Sequence, residues 1–138
     1  MELLAFMDNR VDLPRVELIF PATVLLGDEQ IVHVSGCDIS PGGIGISCDG
    51  STAKTMVNQG SLVSPDAGAV FHLRWALPRA GTHAKGEHGA QGWKLEGRAR
   101  LAWSRPASAG KYRLGLKFLA LDDDARRNLT AFIDSVMQ

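Results

Sequence analysis

No stretch of the chain stays apolar for the roughly 20 residues that a helix needs to cross a bilayer, so membrane insertion is not expected. The first ten residues, MELLAFMDNR, lack a basic leader and carry too short an apolar run for a secretory signal, which makes the cytoplasm the expected location. Charge of one sign is missing too: 15 basic residues face 15 acidic ones. A general binder of phosphate polymers would show a basic excess, so coating of DNA or RNA is not expected. Cysteine is scarce, with Cys37 and Cys48 in no zinc-binding spacing, and small buried thiols are the simpler reading. His33, His72, His83 and His88 show no paired-ligand spacing either, so neither a metal nor a cofactor is expected. The G-x-S-x-G elbow, the P-loop and H-E-x-x-H are all absent. The triplet Gly42-Gly43-x-Gly45 runs into a strand rather than a helix, so it is no dinucleotide fingerprint. Nothing recommends an enzyme.

What is present is alternation. From Arg15 onward the even positions Val16, Leu18, Phe20, Ala22, Val24 and Leu26 are apolar, which predicts a long strand with one buried face; Pro21 predicts a bulge or an edge within it. LGDEQ reads as a hairpin turn, QIVHVSGCDI as a returning strand, and IGISC as a third with Ile44, Ile46 and Cys48 on one face. A short helix is predicted near TAKTMVNQ. AVFHLRWALP, WKLEGRARLAWS and KYRLGLKF each alternate a dry face with a wet one. In the second of these, Trp103 shares parity with Leu101 and Ala99, which predicts a core position. PRAGTHAKGEHGAQG reads as a long hairpin loop.

The period then changes. DDDARRNLTAFIDSVMQ opens with acidic residues and carries Leu129, Phe132, Ile133 and Val136 at i, i+3, i+4 and i+7, which predicts an amphipathic closing helix over 123–136. Six strands and one helix in 138 residues predict a single mainly β domain, a small antiparallel barrel with the helix packed against it.

Between the second and third strands, GCDISPGGIGIS sets Asp38, Ser40 and Gly43 in a D-x-S-x-x-G pattern. Ser40-Pro41-Gly42-Gly43 fits a type II turn, with Pro41 presetting φ and Gly42 supplying a positive one; Asp38 and Ser40 would then brace the turn through backbone N–H groups. The same carboxylate, hydroxyl and bare glycine backbone would also make a corner that takes an anion or a base. Local sequence leaves both readings open.

In this order, these parts resemble the PilZ domain family, from about Arg10 to Val136. The resemblance implies a six-stranded antiparallel barrel with a C-terminal helix, residues 1–14 as a flexible arm and 15–138 as the domain. Many members bind cyclic di-GMP through an R-x-x-x-R arm and a [D/N]-x-S-x-x-G turn. Asp38, Ser40 and Gly43 match the turn, and Arg15 stands where the second arginine belongs. Val11 occupies the place of the first arginine and Arg10 precedes it, giving R-x-x-x-x-R. The implied roles are Arg10 and Arg15 clamping phosphate and guanine, and Asp38 reading a guanine edge. Ser40 would bond phosphate or orient Asp38, and Gly43 would admit the backbone. The implied function is a cytoplasmic receptor that relays the messenger to a protein partner in motility or biofilm regulation. The alternative is a PilZ-like adaptor that meets its partner without nucleotide.

Overall fold

The computed structural model describes residues 14–26, 30–60, 67–78 and 92–137. Six strands carry the fold: β1 (Val16–Leu26), β2 (Gln30–Ser40), β3 (Gly43–Asp49), β4 (Val70–Leu77), β5 (Trp93–Ser108) and β6 (Lys111–Leu121). Helix α1 (Gly50–Val57) follows β3, and helix α2 (Asp123–Met137) follows β6. All neighbouring strands are antiparallel, and the order β1-β2-β3-β6-β5-β4 closes on itself through β1 and β4. Closure leaves no sheet edge to protect.

Alternation puts Val24, Ile39, Ile46, Leu73, Ala99 and Leu114 inside with almost no exposure. Trp75 and Phe118 stack across the interior with centroids 5.3 Å apart. Ala125, Leu129, Phe132 and Ile133 of α2 join this core, so the closing helix packs its apolar stripe on the barrel as its sequence period predicts, except that Val136, expected in the stripe, is 48% exposed near the helix end. Asp122 accepts from the Ala125 backbone N–H at 2.7 Å and caps that helix. Asp49 caps α1 the same way, accepting from Thr52 N–H at 2.8 Å.

Pro21 needs no edge. It pairs with Ser35 on β2 and lies one residue before the β1–β4 register begins at Ala22↔Trp75, while the irregularity in β1 falls earlier, between Glu17 and Phe20. The expected arm and the long loop after Pro78 fall on residues 1–13 and 79–91, outside the described residues.

Candidate functional site

Two bulges decide which side chains face out. On β2, Gly36 pairs with Ile46, yet Asp38 pairs with Gly45, so Cys37 is an inserted residue. Gly36 faces the core, where an added Cβ would lie 2.1 Å from the Phe20 ring. Without the insertion Asp38 would share that inward parity. The bulge turns it outward instead, opposite Gly45, and returns Ile39 to the core with no exposure. On β5, Leu101 pairs with Leu116 and Trp103 with Gly115, which makes Ala102 the inserted residue. Trp103 is therefore half-buried outside the barrel, not in the core that its parity predicts.

Gly45 and Gly115 pair with each other. Asp38, Gly45, Gly115 and Trp103 thus form one outward row across β2, β3, β6 and β5, about 14 Å long at the usual strand spacing. The two glycines make room for their neighbours. A Cβ at Gly45 would meet an Asp38 carboxylate oxygen at 2.6 Å, and one at Gly115 would meet the Trp103 ring at 2.3 Å. The acid and the indole lean toward each other over a glycine floor.

Arg15, at the entrance to β1, donates from Nη1 to Asp38 Oδ1 at 2.8 Å. The Arg15 side chain is 45% exposed and that of Asp38 only 12%, so the pair anchors a buried carboxylate to a guanidinium whose other donors reach solvent. Asp38 thus faces outward yet is buried. Gly43 is half-buried and pairs with Ser40 on one side and Lys117 on the other; a Cβ there would stand 2.4 Å from the Leu116 carbonyl oxygen. Close approach, not dihedral freedom, is what requires that glycine. Ser40 is buried and its hydroxyl is 3.5 Å from the Gly43 carbonyl oxygen.

The turn itself corrects the type II expectation. Gly42 has no positive φ; among the described glycines only Gly110 does. Pro41 at the second position with an ordinary dihedral at the third suits type I. The Gly42 carbonyl accepts from Phe118 N–H at 2.9 Å, which fastens the turn to β6. Arg10 lies outside the described residues, so of the five expected site residues the structure describes four. It brings Arg15 and Asp38 into direct contact, with Ser40 and Gly43 at the adjoining turn.

Residues that the sequence reading did not single out complete the surface. Arg113 pairs with Ser47 and with Arg105, in the next outward row, and Lys117 flanks the glycine floor on the other side. The Arg105 guanidinium sits 4.7 Å from the Trp103 ring centroid. Several cations thus border a single buried carboxylate and an aromatic face, a combination suited to a ligand with phosphates and a purine edge. The signal for this floor was in the sequence: glycine inside a strand marks close approach, and both GIGIS and RLGLKF carry one. Burial raises the Cys37 thiol, with the Asp38 charge adding to it, and pushes Cys48 up to about 11. Both cysteines are free and buried, as small core thiols are. No group of His, Cys, Asp and Glu suited to a metal occurs among the described residues.

No protein-family model and no curated protein sequence matches the chain. Solved structures do. The Bacillus subtilis inhibitor of motility MotI/DgrA matches with a TM-score of 0.64 at 14% identity, over 91% of this chain and 50% of that one. MrkH, a transcription regulatory factor dependent on cyclic di-GMP, gives 0.62 at 14% identity over the same shares. The PilZ domain of YcgR from Escherichia coli, solved with cyclic di-GMP, gives 0.52 at 16% identity, over 91% of this chain and 90% of that one. The chain spans about half the length of the first two proteins. These likenesses give this chain a PilZ-like fold.

Proposed function

We propose that this chain is a PilZ-type receptor that binds cyclic di-GMP on the outer face of β2, β3, β6 and β5 and passes the signal to a protein partner. The observation that carries the reading is the Arg15–Asp38 pair at the end of the Asp38–Gly45–Gly115–Trp103 row. Cyclic di-GMP presents two anionic phosphates and two guanines. A guanidinium fork takes phosphate oxygens or the guanine O6/N7 edge. A carboxylate accepts from guanine N–H donors but repels phosphate, so a site built for phosphate alone would not carry one. Gly45 and Gly115 let the Asp38 carboxylate and the Trp103 ring lie close against the sheet, where they can meet a planar base, and Arg113, Arg105 and Lys117 supply positive charge around them.

In this reading Arg15 and Arg10 clamp phosphate and guanine, Asp38 orients Arg15 and reads a guanine edge, Ser40 bonds phosphate, and Gly43 lets the ligand approach the backbone. The reaction class is binding without turnover. The structural neighbours support it through what is said of them: one is a motility inhibitor, one a regulator dependent on cyclic di-GMP, and one was solved with that messenger. One residue favours the adaptor reading instead, namely Val11 in the place of the family's first arginine. Titration calorimetry of the purified chain with cyclic di-GMP separates the two. Saturable binding, lost in Asp38→Ala, supports the receptor; no heat at about millimolar ligand leaves the adaptor.

A further inference from the structure

Two arginines face each other on the outside of the barrel. Arg105 of β5 and Arg113 of β6 are direct cross-strand partners, and Ser47 of β3 is the partner of Arg113 on its other side. The three lie on neighbouring strands, in a row about 7 Å along from the Gly115–Trp103 pair. Like charges directly opposite in a sheet repel, and among the described residues neither arginine has an acidic partner. Asp49, the acid that follows on β3, faces Lys111 instead, and its Oδ1 accepts from the Ser51 hydroxyl and the Thr52 N–H. The sheet therefore holds two guanidiniums side by side without a carboxylate between them.

Both charges converge on the nucleotide face. The Arg105 guanidinium is 4.7 Å from the Trp103 ring centroid, and that ring leans over Gly115 on β6. Arg113 is half-buried, two residues before Gly115 and on the same side of that strand. Its charge reaches the bulge on β2: burial and Asp38 raise the Cys37 thiol, and Arg113 and Arg15 both pull the other way. Cations thus approach the bulge from two directions, Arg15 from the β1 side and Arg113 from the β6 side. Two planar forks and the Ser47 hydroxyl offer donors to several oxygens of one anion, which suits phosphate beside an aromatic ring that can meet a base.

We propose that Ser47, Arg113 and Arg105 form a second phosphate seat, apart from Arg15, which takes the other phosphate of a two-phosphate nucleotide whose base lies against Trp103. The two guanidiniums share the phosphate oxygens and the Ser47 hydroxyl donates to one of them, so the anion cancels the repulsion between the arginines. A nucleotide with one phosphate fills one seat only. The seat rests on the cyclic di-GMP reading for the identity of its ligand, and on register and charge for its affinity toward phosphate.

The test combines calorimetry with NMR of the arginine side chains, both on the full chain. Arg113→Gln should weaken cyclic di-GMP binding at least about tenfold, and Arg113→Lys, which keeps the charge without the planar fork, should recover only part of it. Lys111→Gln removes the same charge from the same strand outside the seat and should change affinity less than about threefold. Equal losses from Arg113→Gln and Lys111→Gln, or full recovery by lysine, would reduce the effect to general attraction and overturn the seat. Without nucleotide, inorganic phosphate should shift the side-chain Nε–H signals of Arg105 and Arg113 saturably, and more than acetate at equal ionic strength. Urea unfolding checks the fold: Arg113→Gln should be at least as stable as the parent at low salt, with any advantage fading as salt rises. A loss of stability that salt leaves unchanged would give Arg113 a structural role instead. Failure of the parent to bind cyclic di-GMP, while phosphate still shifts both signals, strikes the nucleotide reading and spares the seat. Unmoved arginine signals, or equal shifts with acetate, strike the seat whatever the nucleotide does.

Discussion

Arg15 and Asp38, 23 residues apart, meet at 2.8 Å because a bulge at Cys37 turns Asp38 out of the barrel at the point where the chain enters β1. The pair is lopsided, its carboxylate nearly buried and its guanidinium nearly half exposed. Arg15→Ala therefore strands Asp38, while Asp38→Ala leaves an arginine that water can serve. The expected loss of stability is about 1 kcal/mol for Arg15→Ala, the low end for an unsatisfied buried group because solvent reaches that side, and less for Asp38→Ala. A double-mutant cycle by urea unfolding checks this, and the double variant should recover part of the Arg15→Ala loss. Both single variants should weaken cyclic di-GMP binding at least about tenfold, or about 1.4 kcal/mol.

The glycine floor gives a second prediction. Gly115→Ala places a methyl 2.3 Å from the Trp103 ring, which has to swing away and leave Arg105. Since Trp103 is half-buried outside the core, the swing should cost less than about 1 kcal/mol, below the usual range for an overpacked interior. Nucleotide binding should fall far more than stability does. Gly45→Ala crowds the Asp38 carboxylate at 2.6 Å and should prove non-additive with Arg15→Ala, because both act on one ion pair. Independent effects of these two substitutions would mean that Gly45 does not position the carboxylate.

How much of this was legible beforehand follows from the bulges. Period-two alternation located the strands and the 3.6-residue period located the closing helix, because burial on one face leaves a regular trace. A bulge leaves none: inserting one residue inverts every later side chain, and Cys37 and Ala102 look like ordinary strand residues. Trp103 was therefore expected inside. Asp38, Ser40 and Gly43 were singled out because the turn motif is contiguous. Arg113, Lys117 and Gly115 were not, because only the β3–β6 register brings them beside it. Gly42 misled for another reason: glycine permits positive φ without requiring it, and this turn does not use it.

The cap of α1 yields a pH prediction. Hydrogen bonds from the Thr52 backbone, the Thr52 side chain and Ser51 hold the Asp49 carboxyl below its ordinary value of 3.8. A group whose pKa is lower in the folded chain stabilises fully above the unfolded value and loses that contribution as pH falls through the folded one. Wild type should therefore exceed Asp49→Ala in stability by a constant margin at neutral pH, and the margin should shrink below about pH 4. Urea unfolding of both proteins across that interval measures it. A margin that grew on acidification would contradict the cap.

The last prediction turns on the arm's arginine spacing. Arg10 and Arg15 are separated by four residues, one more than in the R-x-x-x-R arm, and Val11 occupies the place of the first arginine. Val11→Arg restores the shorter spacing and should tighten cyclic di-GMP binding. One added charge-assisted contact is worth about 1.5 to 3 kcal/mol. Ordering the longer side chain returns about 1 to 2 kcal/mol of that, so calorimetry should read a several-fold gain in affinity. The gain should shrink as salt rises, since the contact acts on phosphate charge. Val11→Lys adds the charge without the planar fork and should gain less. Equal gains from the two variants would reduce the effect to general attraction. No gain from either, in a chain that binds, would mean that Arg10 already fills the role across the longer spacing.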